Sequence, residues 1–243
     1  LGSATPSLES YYNATSGKYQ LVQMLDRIST KPMPKVEVVD LKEERRELKR
    51  FGALHFSRTV ISKTKLALMK KQQVIFFLNR RGFATAAVCP ACAHKIECPS
   101  CSVGLTYYKK ASLLACHHCD YRCAAPNQCP KCQNKPMMFK GMGTEKMHQL
   151  LEEMFDKSEV VRIDGSLDGE KNIREKLGLF MEGKGDILLG TQIISKGLDS
   201  ENITLSVALN ADLGMALPDF RSAERDFQML TQLAGRTGRG EKE

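Results

Sequence analysis

The chain has 243 residues, of which 42% are apolar, 26% charged and 7% aromatic. On a prior of about 150 residues per domain, this length suits one large domain or a smaller one carrying an insertion. The balance excludes a collagenous, repetitive or strongly disordered chain, and no apolar run approaches the ~20 residues of a membrane helix. A formal net charge of +8 and a pI near 9.0 favour a polyanionic partner. The chain opens on Leu1 rather than Met and closes just after a Gly/Arg-rich run, which reads as a piece of a longer protein. With no secretory leader in view, the cytoplasm is the expected compartment.

In chain order, Val36 to Asp40 reads as a strand, and Lys42 to Arg50 (KEERRELKR) as a solvated helix face or linker. Val74 to Leu78 is a second, continuously apolar strand. A Cys-rich stretch follows. Thr144 then caps a helix whose apolar positions Met147, Leu150, Leu151, Met154 and Phe155 share one face. Val160 to Asp164 is a strand, and Ile173, Leu177, Phe180 and Met181 mark a helix. Asp186 to Gly190 and Leu205 to Leu209 are strands. A last helix has a cap at Ser222, an apolar face of Ala223, Phe227, Leu230 and Ala234, and Gly235 just past its end. Apolar runs without alternation are those of strands covered on both faces, so the fold class is α/β with a parallel sheet. The Cys-rich stretch is an insertion in a doubly wound domain.

All nine cysteines lie between Cys89 and Cys132, eight of them as C-x2-C pairs: Cys89/Cys92, Cys98/Cys101, Cys116/Cys119 and Cys129/Cys132. Two thiolates three apart on a tight turn can point at one tetrahedral ion, so four pairs imply two zinc ions held by four thiolates each. An odd cysteine count without a secretory signal disfavours a disulfide framework. An iron–sulfur cluster is the better rival. Spacing leaves the pairing order open. Nested pairing would join Cys89, Cys92, Cys129 and Cys132 on one ion and the inner four on the other.

Cys123 is left over as a spare thiol or an alternative ligand. His94, His117 and His118 are read as lying around the ligands rather than among them. The stretch carries five basic and two acidic residues and few large apolar ones, so metal would supply much of its folding energy. Tyr107, Tyr108 and Tyr121 either stack on unpaired bases or cover the metal sites.

Two further stretches carry chemistry. Gln232-Leu-Ala-Gly-Arg-Thr-Gly-Arg-Gly240 places Arg236 and Arg239 three apart at a helix end, where two guanidinium groups can approach a phosphate chain. Taken alone it also fits an Arg/Gly-type RNA-binding tail. Asp186 to Asp199 (DILLGTQIISKGLD) is a buried strand ending in Gly-Thr, followed by a Lys-Gly-x-Asp turn. Thr191, Lys196 and Asp199 would therefore stand at the strand-end edge where ligands bind. Thr191 can donate to a nucleic-acid phosphate and Asp199 can accept from a ribose hydroxyl.

GTQIISKGLD and QLAGRTGR resemble motifs V and VI of superfamily-two helicases, and Ser3-Ala-Thr-Pro-Ser7 resembles motif III. Val74 to Gly82 (VIFFLNRRG), followed directly by four C-x2-C pairs, is similar to the bacterial replication-restart helicases, the primosomal protein N-prime family. Pro218 to Arg225 (PDFRSAER) extends the likeness. Two places depart from the family pattern: a His and an aromatic are expected near Leu198 and Ser200, and more acidic residues in place of Gly165-Ser166.

The resemblance implies a RecA-like second lobe of an ATP-driven 3′-to-5′ DNA helicase that restarts stalled forks and assembles the primosome. Residues 1–35 would close the first lobe, 36–88 and 133–243 would form the second, and 89–132 would be the double zinc module. It further implies Arg236, Arg239 and Gln232 as catalytic residues and Gly197 and Asp199 at the nucleotide. Thr191, Lys196, Asn79 and Arg80 would lie on the DNA. Cofactors would be two Zn²⁺ through the eight paired cysteines, and ATP with Mg²⁺ held mainly by the first lobe. The sequence contains no G-x-x-x-x-G-K-[ST] loop, so this piece alone would be inactive. Partners would be forked or single-stranded DNA, primosome proteins and single-stranded DNA-binding protein, with no membrane. The alternative is a non-catalytic zinc-ribbon module that binds nucleic acid or protein.

Overall fold

The structure is a computed structural model. It describes residues 2–24, 34–49, 54–78, 85–89, 91–92, 94–108, 112–116, 119–133, 138–140, 144–164, 168–191, 194, 198, 200–212, 215 and 220–237. Two compact units are formed, one by Leu1–Asn79 with Lys157–Glu243 and the other by Arg80–Asp156.

The first unit contains, in chain order, α1 (Leu8–Thr15), α2 (Leu41–Glu47), α3 (Arg58–Met69) and β1 (Gln73–Leu78). The second contains β2 (Thr85–Val88), β3 (Thr106–Tyr108), β4 (Leu113–Ala115), β5 (Arg122–Ala124), β6 (Met138–Lys140) and α4 (Thr144–Met154). The chain returns to the first unit with β7 (Val160–Ile163), α5 (Glu170–Met181), β8 (Ile187–Gly190), β9 (Ile203–Leu209) and α6 (Ser222–Ala234).

In the first unit four parallel strands run in the order β7-β8-β1-β9. Every residue of central β1 is buried, as its unbroken apolar run requires. Its side chains alternate between two cores. Ile75 and Phe77 pack with Ile163, Leu188, Phe180 of α5 and Met229 and Leu233 of α6. Phe76 points the other way and meets Phe56, just ahead of α3, edge to face at 5.8 Å. Helices thus cover both faces.

Buried polar groups tie the elements together. The Gln73 amide donates to the carbonyls of Phe180 (2.6 Å), which also accepts from Gly183 N–H, and of Gly185 (2.9 Å), tying the start of β1 to the last turn of α5 and the loop after it. Glu44 on α2 is buried, and one of its oxygens accepts from the Arg58 backbone N–H at 2.7 Å and from Arg58 Nε at 3.0 Å. It therefore serves an orphan donor in the first turn of α3, whose cap Ser57 accepts from Val60 N–H. Residues 42–47 of the charged run are accordingly part of a short helix with one inward carboxylate, not a wholly solvated face, and Arg50 lies outside the described residues.

Three sequence expectations are corrected. Val36 to Asp40 is not a strand: Val36 and Val38 are 71% and 91% exposed, Glu37 pairs with Lys63 of α3, and Asp40 caps α2. The Asp40 cap and the ion pair with α3 outweigh the β-branched run, which among the described residues pairs with no strand. The buried face of α6 is Asp226, Met229 and Leu233, while Phe227 is 68% exposed. Ser222 is the first residue of that helix rather than its cap.

The second unit is an antiparallel sheet in the order β5-β4-β3-β2-β6. Because β6 pairs with β2, residues after Cys132 complete this sheet, and the unit is wider than the 89–132 stretch. Its core is built from Cys89, Cys98, Cys116 and Cys129 with Ala87, Leu105 and Leu114, so thiols do much of the filling that large apolar side chains do elsewhere.

Candidate functional site

The cysteine turns repeat one geometry. The backbone N–H of Cys89 donates to His94 O, that of Cys98 to Val103 O and that of Cys116 to Tyr121 O, each at 2.8 Å. Four residues after Cys98, Cys116 and Cys129 stand Ser102, Asp120 and Gln133, with φ of 53°, 55° and 55°. This left-handed residue turns the chain back and leaves both thiols on the inside of the loop. The first cysteine of each pair is buried, while the second is half-buried or exposed.

These turns meet in the nested order. Cys89, Cys92, Cys129 and Cys132 form one cluster and Cys98, Cys101, Cys116 and Cys119 the other, with the four sulfurs of each within 4.8 Å of one another. Cys89 and Cys132 sulfurs are 3.6 Å apart, Cys92 and Cys129 3.7 Å, and Cys98 and Cys119 3.5 Å. At a Zn–S distance of about 2.3 Å, two sulfurs of a tetrahedron stand roughly 3.8 Å apart. The spacing therefore fits a single ion per cluster and leaves no room for several irons and sulfides. It is too long for a disulfide, and none of the nine cysteines is in one.

The electrostatics of the clusters point the same way. Burial opposes ionisation of Cys129, but backbone N–H groups of Cys132 and Lys131 and the neighbouring thiols pull its pKa down to about 6. The His94 N–H favours the Cys92 thiolate, yet burial and the thiols around it push that group up to about 12. The hydrogen bond with Cys119, then burial, push Cys101 up to about 12. Four crowded thiols cannot all ionise beside one another, and a dication is the group that makes four thiolates compatible. Cys123 lies on β5 opposite Leu114, outside both clusters. His94 belongs to neither cluster, and His117 and His118 lie outside the described residues.

In the first unit, Thr191 follows the last residue of β8. Gly190 makes that exit possible, since a Cβ there would stand 2.7 Å from Ile194 Cγ2 and 3.2 Å from the Ile163 carbonyl. The Thr191 carbonyl accepts from Ile194 N–H at 3.0 Å. Buried Leu198 offers its carbonyl to Arg236 Nη1 at 3.0 Å, joining the turn after β8 to the end of α6. Gln232 donates to Thr5 Oγ1 at 3.2 Å, joining α6 to the Ser-Ala-Thr segment. Three segments far apart in sequence are thereby brought together. Asn79, Arg80, Lys196, Gly197, Asp199 and Arg239 lie outside the described residues, as do Gly165 and Ser166.

Sequence reading missed a polar stripe on α6. Gln228 Nε2 donates to Pro6 O at 3.2 Å, Glu224 Oε1 accepts from Leu8 N–H at 2.8 Å, and Arg221 pairs with Glu9. With Gln232 these residues follow helical spacing, which was the available signal.

A parallel sheet with helices on both faces, carrying an insert with two four-cysteine clusters, defines the C-terminal domain of a helicase with a Cys-rich region. Residues 132–241 match the helicase conserved C-terminal domain, and residues 98–123 match the PriA DNA helicase Cys-rich region domain. The replication restart protein PriA of Bacillus subtilis is 42% identical over 243 residues, covering all of this chain and 30% of that protein. PriA of Chlamydia pneumoniae is 41% identical over 242 residues, 98% of this chain and 32% of its own. The chain belongs to the PriA replication restart family, of whose members it spans about a third of the length. The helicase domain of Pyrococcus furiosus Hef aligns with 74% of this chain and 23% of its own, at 14% identity and a TM-score of 0.33, too low to bear on the fold. Among the described residues no helix is long and apolar enough to cross a membrane.

Proposed function

We infer that this chain is the second lobe of an ATP-dependent 3′-to-5′ DNA helicase that restarts stalled forks and assembles the primosome in the cytoplasm. The observation that carries this reading is the convergence of Thr5, Leu198, Gln232 and Arg236, which ties the three helicase-like segments into one unit. ATP with Mg²⁺, gripped mainly by the first lobe, would supply the free energy of hydrolysis. From this side, Arg239 would place its guanidinium on the charge that develops at the transferred phosphoryl group. Arg236, which donates to the Leu198 carbonyl, would hold the turn after β8 in register with that site, with Gly197 and Asp199 at the nucleotide. Gln232 would pass the state of the site to the Thr5 segment.

Thr191, Lys196, Asn79 and Arg80 would contact DNA phosphates, giving sequence-tolerant, salt-sensitive binding. The eight paired cysteines would hold two zinc ions, whose chemistry is structural: each ion cross-links the ends of two turns. The basic stretch with Tyr107 and Tyr121 would then present a rigid surface to forked DNA, to single-stranded DNA-binding protein or to primosome proteins.

Arg239→Ala in the full-length protein tests the central role. It should lower DNA-stimulated ATP turnover by a factor on the order of 10³ while leaving DNA affinity within a few-fold. Normal turnover in that variant would remove the arginine from the site.

A further inference from the structure

The α6 stripe does more than fill space. The first-turn N–H groups of a helix lack partners within it, and their end of the helix is the positive pole. In α1, Ser7 caps the Ser10 N–H from within, whereas the Leu8 N–H is served from α6 by the Glu224 carboxylate. On either side of that contact, Gln228 holds the Pro6 carbonyl and Arg221 holds the Glu9 carboxylate. Gln228 also donates to Glu224 Oε1 at 3.2 Å, which orients the carboxylate. Arg221, Glu224, Gln228 and Gln232 lie at i, i+3, i+7 and i+11, so the segment from Thr5 to Glu9 runs antiparallel along one line of the helix.

We propose that Arg221, Glu224 and Gln228 are positioning residues: they clasp the Pro6–Glu9 stretch to α6 so that Thr5 is held at Gln232, one turn before Arg236. This deepens the helicase reading and rests on it for its catalytic consequence. The clasp itself is a property of this chain alone. It gives α6 two jobs, since its Met229 and Leu233 side grips the sheet while the stripe grips the start of the chain.

The test uses the full-length protein with Glu224→Ala, Glu224→Gln and the charge swap Glu9→Arg with Arg221→Glu. Glu224→Ala should speed amide exchange across residues 8–15 about five- to tenfold and lower the kcat of DNA-stimulated ATP hydrolysis by a similar factor, with KM for ATP within about twofold. Glu224→Gln, which keeps an oxygen acceptor, should restore both. Glu9→Arg and Arg221→Glu should each lower kcat about three- to fivefold and together recover most of it. Unchanged exchange in Glu224→Ala, or a swap that recovers nothing, overturns the clasp. Failure of the wild-type protein to hydrolyse ATP on DNA would instead overturn the helicase reading, and the exchange result would then decide the clasp on its own.

Discussion

Gly190 shows how much of a site one absent atom can set. It ends β8 directly before Thr191, where Ile194 stands so close that a methyl group would meet its Cγ2 at 2.7 Å. Gly190→Ala should destabilise the protein by about 1–3 kcal/mol, the usual range for overpacking a filled core, and shift Thr191 off the edge of the sheet. A lowered urea midpoint with an unchanged m-value checks the first effect. Wild-type stability would mean that Ile194 yields freely. At this scale the sequence was informative wherever residue type dictates chemistry, as at the paired cysteines. It was uninformative about Glu224 and Gln228, because a polar residue on a helix looks the same whether it faces water or holds another segment.

The elements divide by what holds them. β1 and β8 were legible because a strand buried on both faces must be apolar throughout, whereas the edge strands β7 and β9 are half-buried along much of their length, carry Arg162, Thr204 and Ser206, and were legible from their β-branched runs. Val36 to Asp40 has the composition of a strand but among the described residues pairs with no other strand, and Asp40 and Glu37 bind helical groups instead. The face of α6 was misread because apolar periodicity assumes one partner, whereas this helix has two; Met229 turns to the sheet, and Phe227, at 68% exposure, lies off that face. In the second unit the C-x2-C spacing revealed the ligand type but not the nested order, which comes from the pairing of β3 with β4 for the inner cluster and of β2 with β6 for the outer one. Cys98→Ser should cost one of two zinc ions, counted by native mass spectrometry, and loosen the turn before β3 while leaving the Cys89 cluster loaded. Retention of both ions would show that Cys98 is not a ligand.

For the whole molecule, the two units follow different physics. The first has a conventional apolar core on each face of its sheet. The core of the second is largely sulfur, so its stability is tied to the metal its eight thiols would hold. Fold class, the insertion and the family could be read from the sequence because each rests on a long pattern. The extent of the insert could not, since nothing in residues 138–140 announces that they pair with 86–88. The meeting of Gln232 with Thr5 spans almost the whole chain and likewise leaves no local trace.

Strand separation by the full-length, zinc-loaded protein on forked duplexes, with either a 3′ or a 5′ single-stranded tail on the strand it tracks, tests the central claim most directly. ATP-dependent unwinding that requires the 3′-ended tracking strand and disappears in Arg239→Ala is the predicted result. Tight DNA binding without ATP-dependent strand separation on any fork would contradict it, and would make this chain part of a zinc-bearing binding module rather than of a motor.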